Sequence, residues 1–281
     1  MNIAAVNPVG SLAAFIESHT NIFVLTGAGV STASGLPNYR DEAGNWMHPK
    51  PMEYRDFVHH FSSRQRYWAR SAIAWRGFVR ATPNAAHHAL VRLEAMMKTS
   101  RLVTQNVDRL QQQAGGHKVI DLHGRVDRIV CLDCGGAGSR ATFQQSLLTA
   151  NPQLSGLTAQ PLPDGDALFE EIEFDKIVVP DCETCGGRLK PDVVFFGESV
   201  PVDRVRECFD ILEQSDAMLV VGSSLMVYSG LRFVRQAHRQ QLPILAVNRG
   251  RTRADELFDC KIEADCATTL NDALAQVSAS F

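Results

Sequence analysis

Short apolar runs recur along the chain with little polar alternation, at residues 22–26, 102–105, 119–122, 218–221, 244–247 and, more weakly, 261–264. Runs of this kind fit strands buried on both faces of a parallel sheet. Helical spacing of apolar residues appears between them, at 84–97, where Asn84 is the expected N-cap, and at 202–214. Strand, helix, strand alternation predicts an α/β fold, a doubly wound Rossmann-like parallel sheet. Two segments break the alternation. Residues 51–80 are aromatic, Arg-rich and helical in pattern, and residues 131–185 hold two Cys-x-x-Cys pairs around a Pro/Gly-rich middle at 151–165. Both are expected outside the main sheet. They predict a small helical and zinc-binding domain over 51–83 and 127–189, leaving 1–50, 84–126 and 190–281 for the nucleotide-binding domain.

Composition narrows the function classes. With 45 % apolar residues among 281, a sizeable core can be buried in one large domain or two unequal ones. Twenty-eight basic against 31 acidic residues give a net charge of −3, which offers no electrostatic case for nucleic acid as a partner. No apolar run reaches membrane-spanning length. The first 20 residues contain no Arg or Lys, which argues against a secretory or transit segment and for a cytoplasmic location.

Several polar motifs stand at the carboxyl ends of predicted strands, where open parallel sheets bind ligands. In the first, Gly27, Ala28, Gly29, Val30 and Ser31 follow Thr26. The glycines permit a tight turn and close backbone approach to a phosphate, although Thr32 stands where a dinucleotide fingerprint requires glycine. A purely structural turn explains this loop equally. Pro37, Tyr39 and Arg40 follow closely. An Arg can clamp a pyrophosphate with two hydrogen bonds and an aromatic can cover a nicotinamide ring, while a surface ion pair is the plainer reading of Arg40. Next, Gln105, Asn106, Val107 and Asp108 offer polar groups to ribose hydroxyls and a carboxamide, or cap the following helix. His123, between Leu122 and Gly124, is a candidate general base, with the glycine leaving space for a substrate; a structural histidine is the alternative. Gly222-Ser223-Ser224 and Asn248-Arg249-Gly250 follow two later strands and suit a phosphate and an adenosine ribose, though each alone is an ordinary turn.

The cysteines give a sharper signal. Cys131 and Cys134 are separated from Cys182 and Cys185 by 47 residues. Two such knuckles supply four thiolates to a tetrahedral zinc and leave no open coordination position, so the metal would be structural. A redox pair is the rival.

Taken in order, GAGVSTASGLPNYR, TQNVD, LHG, the two CxxC pairs, KPDVVFFGES, GSS and VNRG resemble the sirtuin family from about residue 20 to residue 266. The class II branch, which includes sirtuin-4, is similar in RQRYWAR at 64–70, in PDGD at 163–166 and in Tyr39, where most of the family has Phe. The resemblance implies an NAD-dependent protein lysine deacylase that releases nicotinamide and O-acyl-ADP-ribose. It implies NAD as co-substrate on the motifs just named, with Cys266 as a last contact made through backbone, and His123 as the catalytic base taking a proton from a ribose hydroxyl. One structural Zn2+ would sit on the four cysteines. An acyl-lysine protein substrate would lie beside Val194, Phe195, Gly197 and Glu198. Tyr67 and Arg70 share a helix face at i and i+3. They are expected to bind a carboxylate at the end of the acyl chain, as in sirtuins that remove succinyl-type groups, unless Arg70 is a surface residue beside a packed Tyr67. Two rivals remain: an NAD-dependent mono-ADP-ribosyltransferase using the same cleft, and a zinc-ribbon binding module without catalysis. A hydride-transferring dehydrogenase lacks the usual glycine spacing.

Overall fold

The computed structural model describes residues 8–279. In chain order the elements begin α1 (Pro8–Ser18), β1 (Ile22–Thr26), α2 (Tyr54–His59), α3 (Phe61–Arg80), α4 (Ala85–Ala95), β2 (Thr99–Thr104), α5 (Leu110–Gln113) and β3 (Val119–Asp121). They continue with β4 (Gly124–Cys131), β5 (Ala137–Ser139), α6 (Arg140–Ala150) and β6 (Leu189–Val193). The last third contains α7 (Val202–Glu213), β7 (Ala217–Val221), α8 (Tyr228–Arg239), β8 (Ile244–Val247), β9 (Cys260–Ile262) and α9 (Cys266–Ala279).

β1 and β7 are buried at every position, because helices cover both faces of the sheet they join. That sheet has the order β3-β2-β1-β7-β8-β9 with all pairs parallel, as the apolar runs predict. One face packs Leu12, Ile16, Leu90, Leu93, Leu270 and Leu274 from α1, α4 and α9. The other packs Cys208 and Leu212 of α7 and Phe233 and Val234 of α8. The strand order reverses between β1 and β7, which opens a crevice at their carboxyl ends. Asn84 caps α4 as expected, its side chain accepting from Ala86 N at 2.8 Å.

A second sheet, β5-β4-β6, is antiparallel. It shares a separate apolar core with α2, α3 and α6, built on Phe57, Trp68, Ile73, Phe143, Leu147 and Leu189. Gly124 is where this sheet meets the site. The space beside it, expected to admit a substrate, is filled by backbone: an added Cβ would stand 2.0 Å from the Asp192 carbonyl oxygen.

Candidate active site

The crevice at the sheet's reversal point is a cleft of about 950 Å³. Its floor is made by two loops in backbone contact. Gly27 N donates to Val221 O at 3.1 Å and Gly29 N to Gly222 O at 2.9 Å. Gly222 has φ +59, and a Cβ on it would meet Val30 N at 2.7 Å, so only glycine lets the loops after β1 and β7 approach this closely.

Side chains from the end of β2 tie that floor together. Asn106 Nδ2 donates to Gly27 O at 3.1 Å and to Ser31 Oγ at 3.0 Å, and Ser31 Oγ donates to Asp108 Oδ2 at 2.6 Å. Gln105 Nε2 donates to Ser223 Oγ at 2.8 Å. Burial pushes the Asp108 carboxyl up, against the opposing hydrogen bond from Ser31. Asp108 also accepts from Leu110 N at 2.9 Å, but the N-cap of α5 is Arg109, so Asp108 lines the cleft and steadies the helix start without being its expected N-cap.

His123 follows β3 and faces the same cleft. Its Nδ1 donates to Gln105 O at 2.8 Å, which leaves Nε2 as the acceptor of the Ser229 hydroxyl at 2.7 Å. Burial depresses the imidazole to about 4, and Arg204 and Arg232 add to that against the Gln105 bond. The ring is therefore a neutral base with one defined lone pair.

All the residues expected to hold NAD line the cleft except Val30 and Gly250. Val30 is 3 % exposed and packs into the main core. Gly250 instead backs onto Glu42, and Arg251 N donates to Glu42 O at 2.7 Å beside it. Arg40 lines the cleft with its guanidinium 3.9 Å over the Trp46 ring, and Nη1 donates to Gly44 O at 2.8 Å. Trp46 and Tyr39 both meet Phe196 edge-on, which connects this loop to the expected substrate strand.

Val194, Phe195, Gly197 and Glu198 also line the cleft. These residues lie past the end of β6, with Phe196 in an isolated bridge to Glu53, and Val194 N donates to His123 O at 2.8 Å, fixing the segment to the candidate base. The Glu198 carboxylate is turned inward. Its Oε2 accepts from Phe195 N at 2.8 Å and from buried Lys190 at 3.0 Å, so it shapes the turn and is not free for a substrate.

Tyr67 and Arg70 correct the expectation made for them. Neither lines the cleft. Tyr67 is fully buried against Phe57, Trp68 and Phe195. Arg70 is paired with Asp166 at 3.1 Å and also donates to Ala167 O. They do share a helix face, but that face packs against the chain between the Cys pairs, which consumes the cation. Asp164, Ser229 and Arg232 also line the cleft, and apart from the PDGD string around Asp164 no motif in the sequence marks them.

The four cysteines converge, with all Sγ atoms within 4.8 Å of one another. Cys131 and Cys185 are 3.5 Å apart and Cys134 and Cys182 3.9 Å, against about 3.8 Å for a tetrahedron of thiolates at a zinc–sulfur distance of about 2.3 Å. The two knuckles repeat one backbone pattern. Cys131 N donates to Gly136 O and Cys182 N to Gly187 O, both at 2.8 Å. Asp133 of one knuckle accepts from Arg188 beside the other at 2.7 Å. The donor set and its spacing fit a closed structural zinc site.

The sequence matches the Sir2 family over residues 27–229. It is 55 % identical to NAD-dependent protein deacetylase 2 of Bradyrhizobium diazoefficiens over 92 % of this chain and 95 % of that protein. An NAD-dependent protein deacetylase of Xanthomonas campestris is 53 % identical over 96 % and 92 %. Among solved structures, a Sir2 enzyme analysed for its mechanism and regulation aligns with TM-score 0.75 at 28 % identity, over 98 % of this chain and 99 % of its own. A Sir2–p53 peptide–NAD+ complex aligns with TM-score 0.72 at 26 % identity, over 96 % and 98 %. The family match over residues 27–229 and the identity above 50 % across nearly the whole length of those relatives show that the chain belongs to the Sir2, or sirtuin, family.

Proposed function

We propose that the protein is an NAD-dependent protein lysine deacylase. The observation that carries this reading is the shared cleft: a neutral His123 faces the same space as the Gly27 and Gly222 loops, and its carbonyl holds the segment after β6 that carries Phe195. Related proteins at more than half identity are named deacetylases, which supports the same chemistry. NAD, when bound, supplies an activated ribose that takes the acyl group as nicotinamide departs.

Each residue then has a task. The loops at Gly27 and Gly222 present backbone to the phosphates, and Asn106 and Asp108 face the nicotinamide side. Asn248 serves the adenosine side. The Nε2 lone pair, held by Ser229 in the free protein, is where His123 takes up a ribose hydroxyl proton. Attack by a neutral amide oxygen depends on alignment, which the cleft walls impose on the acyl-lysine. Zinc on the four cysteines holds the β4–β6 edge and takes no part in bond-making. Thiolates kept reduced for that purpose suit a cytoplasmic enzyme. Within the family we place the chain on the class II branch, on Tyr39 and the strings at 64–70 and 163–166.

The test is to follow nicotinamide and acyl products from an acetyl-lysine peptide and NAD by mass spectrometry. Equal amounts of nicotinamide, free-lysine peptide and O-acetyl-ADP-ribose are expected. Nicotinamide release accompanied only by ADP-ribosylated protein would make the chain a transferase of the other kind.

A further inference from the structure

On the deacylase reading, the inner wall of the cleft decides which acyl group fits, and the chain between the Cys pairs reaches that wall. Pro161 and Ala167 form an antiparallel bridge, and Leu162 N donates to Asp166 O at 2.7 Å, so residues 161–167 make a closed turn. α3 braces the turn from behind. A Cβ on Gly77 would stand 2.7 Å from the Pro161 ring, and Arg70 donates to Ala167 O. The tip, Pro163 and Asp164, thereby lines the same cleft as Tyr39, Phe195 and His123.

Asp164 is only 8 % exposed. Its Oδ1 accepts from Asp166 N at 3.2 Å, and no ion pair reaches it among the described residues. The nearby cation, Arg70, is committed to Asp166 at 3.1 Å and Glu170 at 3.6 Å. The Tyr67 hydroxyl is fully buried beside this turn, 3.8 Å from where a Cβ on Gly165 would lie, and bonds neither Asp164 nor Asp166. This corner therefore holds two carboxyls, one engaged guanidinium and one buried phenol. Burial pushes both carboxyls up.

We propose that Asp164 is a specificity-determining residue that turns away acyl chains ending in a carboxylate and reserves the inner end of the cleft for neutral acyl groups. A succinyl or glutaryl carboxylate arriving there would add a third carboxyl to a water-poor corner that already holds two, with the one guanidinium paired. A short neutral acyl group brings no charge to desolvate. The phenol and guanidinium that would welcome a carboxylate lie behind the acid that repels it.

The proposal rests on the deacylase reading, so the test separates the two. One peptide sequence is prepared with acetyl-, butyryl- and succinyl-lysine, and kcat/KM is measured on the full zinc-loaded chain at saturating NAD. Acetyl is expected to exceed succinyl by about 100-fold or more, the scale of one like-charge contact. Asp164→Asn should raise the succinyl-to-acetyl ratio by about 10-fold or more. A ratio is insensitive to a general loss of activity, and Asp164→Ser carries the same test if the Asn variant does not fold. Succinyl turnover equal to acetyl in the parent, or a ratio unchanged within about twofold in the folded variant, overturns the role of Asp164 and leaves deacylation standing. No nicotinamide release from any acylated peptide removes the deacylase reading and this proposal with it.

Discussion

Gly124→Ala is a direct test of how the base and the substrate strand are held together. Gly124 has φ +81, and a Cβ there would lie 2.0 Å from Asp192 O and 3.1 Å from Val193 Cα, where β4 pairs with β6. Alanine meets two costs. The left-handed backbone costs about 1–2 kcal/mol. Moving a paired strand by more than an ångström resembles overpacking, at about 1–3 kcal/mol. Together they give about 2–5 kcal/mol, or a fall in Tm of roughly 3–9 °C for a chain of this size. Gly156→Ala is the control, because Gly156 has φ +86 and nothing within 4 Å of its Cβ, so only the first cost applies. Thermal melts of both zinc-loaded variants isolate the strand contact by difference. The displaced strand leads into Val194, whose N–H bonds His123 O at 2.8 Å, so deacylation should fall in Gly124→Ala even where the protein remains folded. If Gly124→Ala melts within about 2 °C of Gly156→Ala, the approach of Asp192 is not what requires glycine.

His123→Ala should lower kcat/KM by about 10²–10⁴-fold while NAD still raises Tm; activity within a few-fold of the parent removes His123 from the mechanism. Elemental analysis should find one zinc per chain, and Cys182→Ser should lose metal and stability first, with activity following; freshly purified reduced protein without metal refutes the site. His87 is 2 % exposed and burial depresses it to about 4, below its ordinary 6.5. The unfolded chain therefore takes up that proton first, so this contribution to stability is complete above about pH 6.5 and is lost as pH falls toward 4, up to about 3 kcal/mol. Urea melts at pH 7 and pH 5 should show a shallower pH dependence for His87→Gln than for the parent, and equal dependence in the two would refute the assignment.

The central parallel strands are legible in the sequence because burial on both faces leaves continuous apolar runs, as in Ile22–Thr26 and Ala217–Val221, whereas half-buried β9 at the sheet edge leaves only a weak one. β4 is not, since its burial alternates and water-facing Arg125, Asp127 and Arg128 interrupt it. β6 hides behind Pro191, a residue that speaks against a strand. The polar loops of the site are legible by type and place, but what completes the site is not. Ser229 reaches His123 from 106 residues away, and no local pattern marks the pairing. Helical spacing puts Tyr67 and Arg70 on one face, yet cannot say that Asp166 lies against it. Asp164 enters the cleft through a contact between Pro161 and Gly77, a matter of packing between distant segments.

The twin knuckles have a further consequence for how the protein can change. They bring Sγ atoms of the two Cys pairs to 3.5 and 3.9 Å, so the excursion between them leaves and re-enters the fold at one pinned point. Lengthening such a closed loop is cheap, about 0.6 kcal/mol for a doubling. The metal bears the closure, while β5 and α6 inside the excursion stay packed on β4 and α3, so length can change only in the loops after α6. Within that stretch the closed turn at 161–167 is the interchangeable part. Its far end touches the acyl group while its near ends are anchored away from His123, so selectivity can drift among relatives without disturbing the base. A graft of the closed turn at residues 161–167 from one relative to another should carry the acyl preference with it.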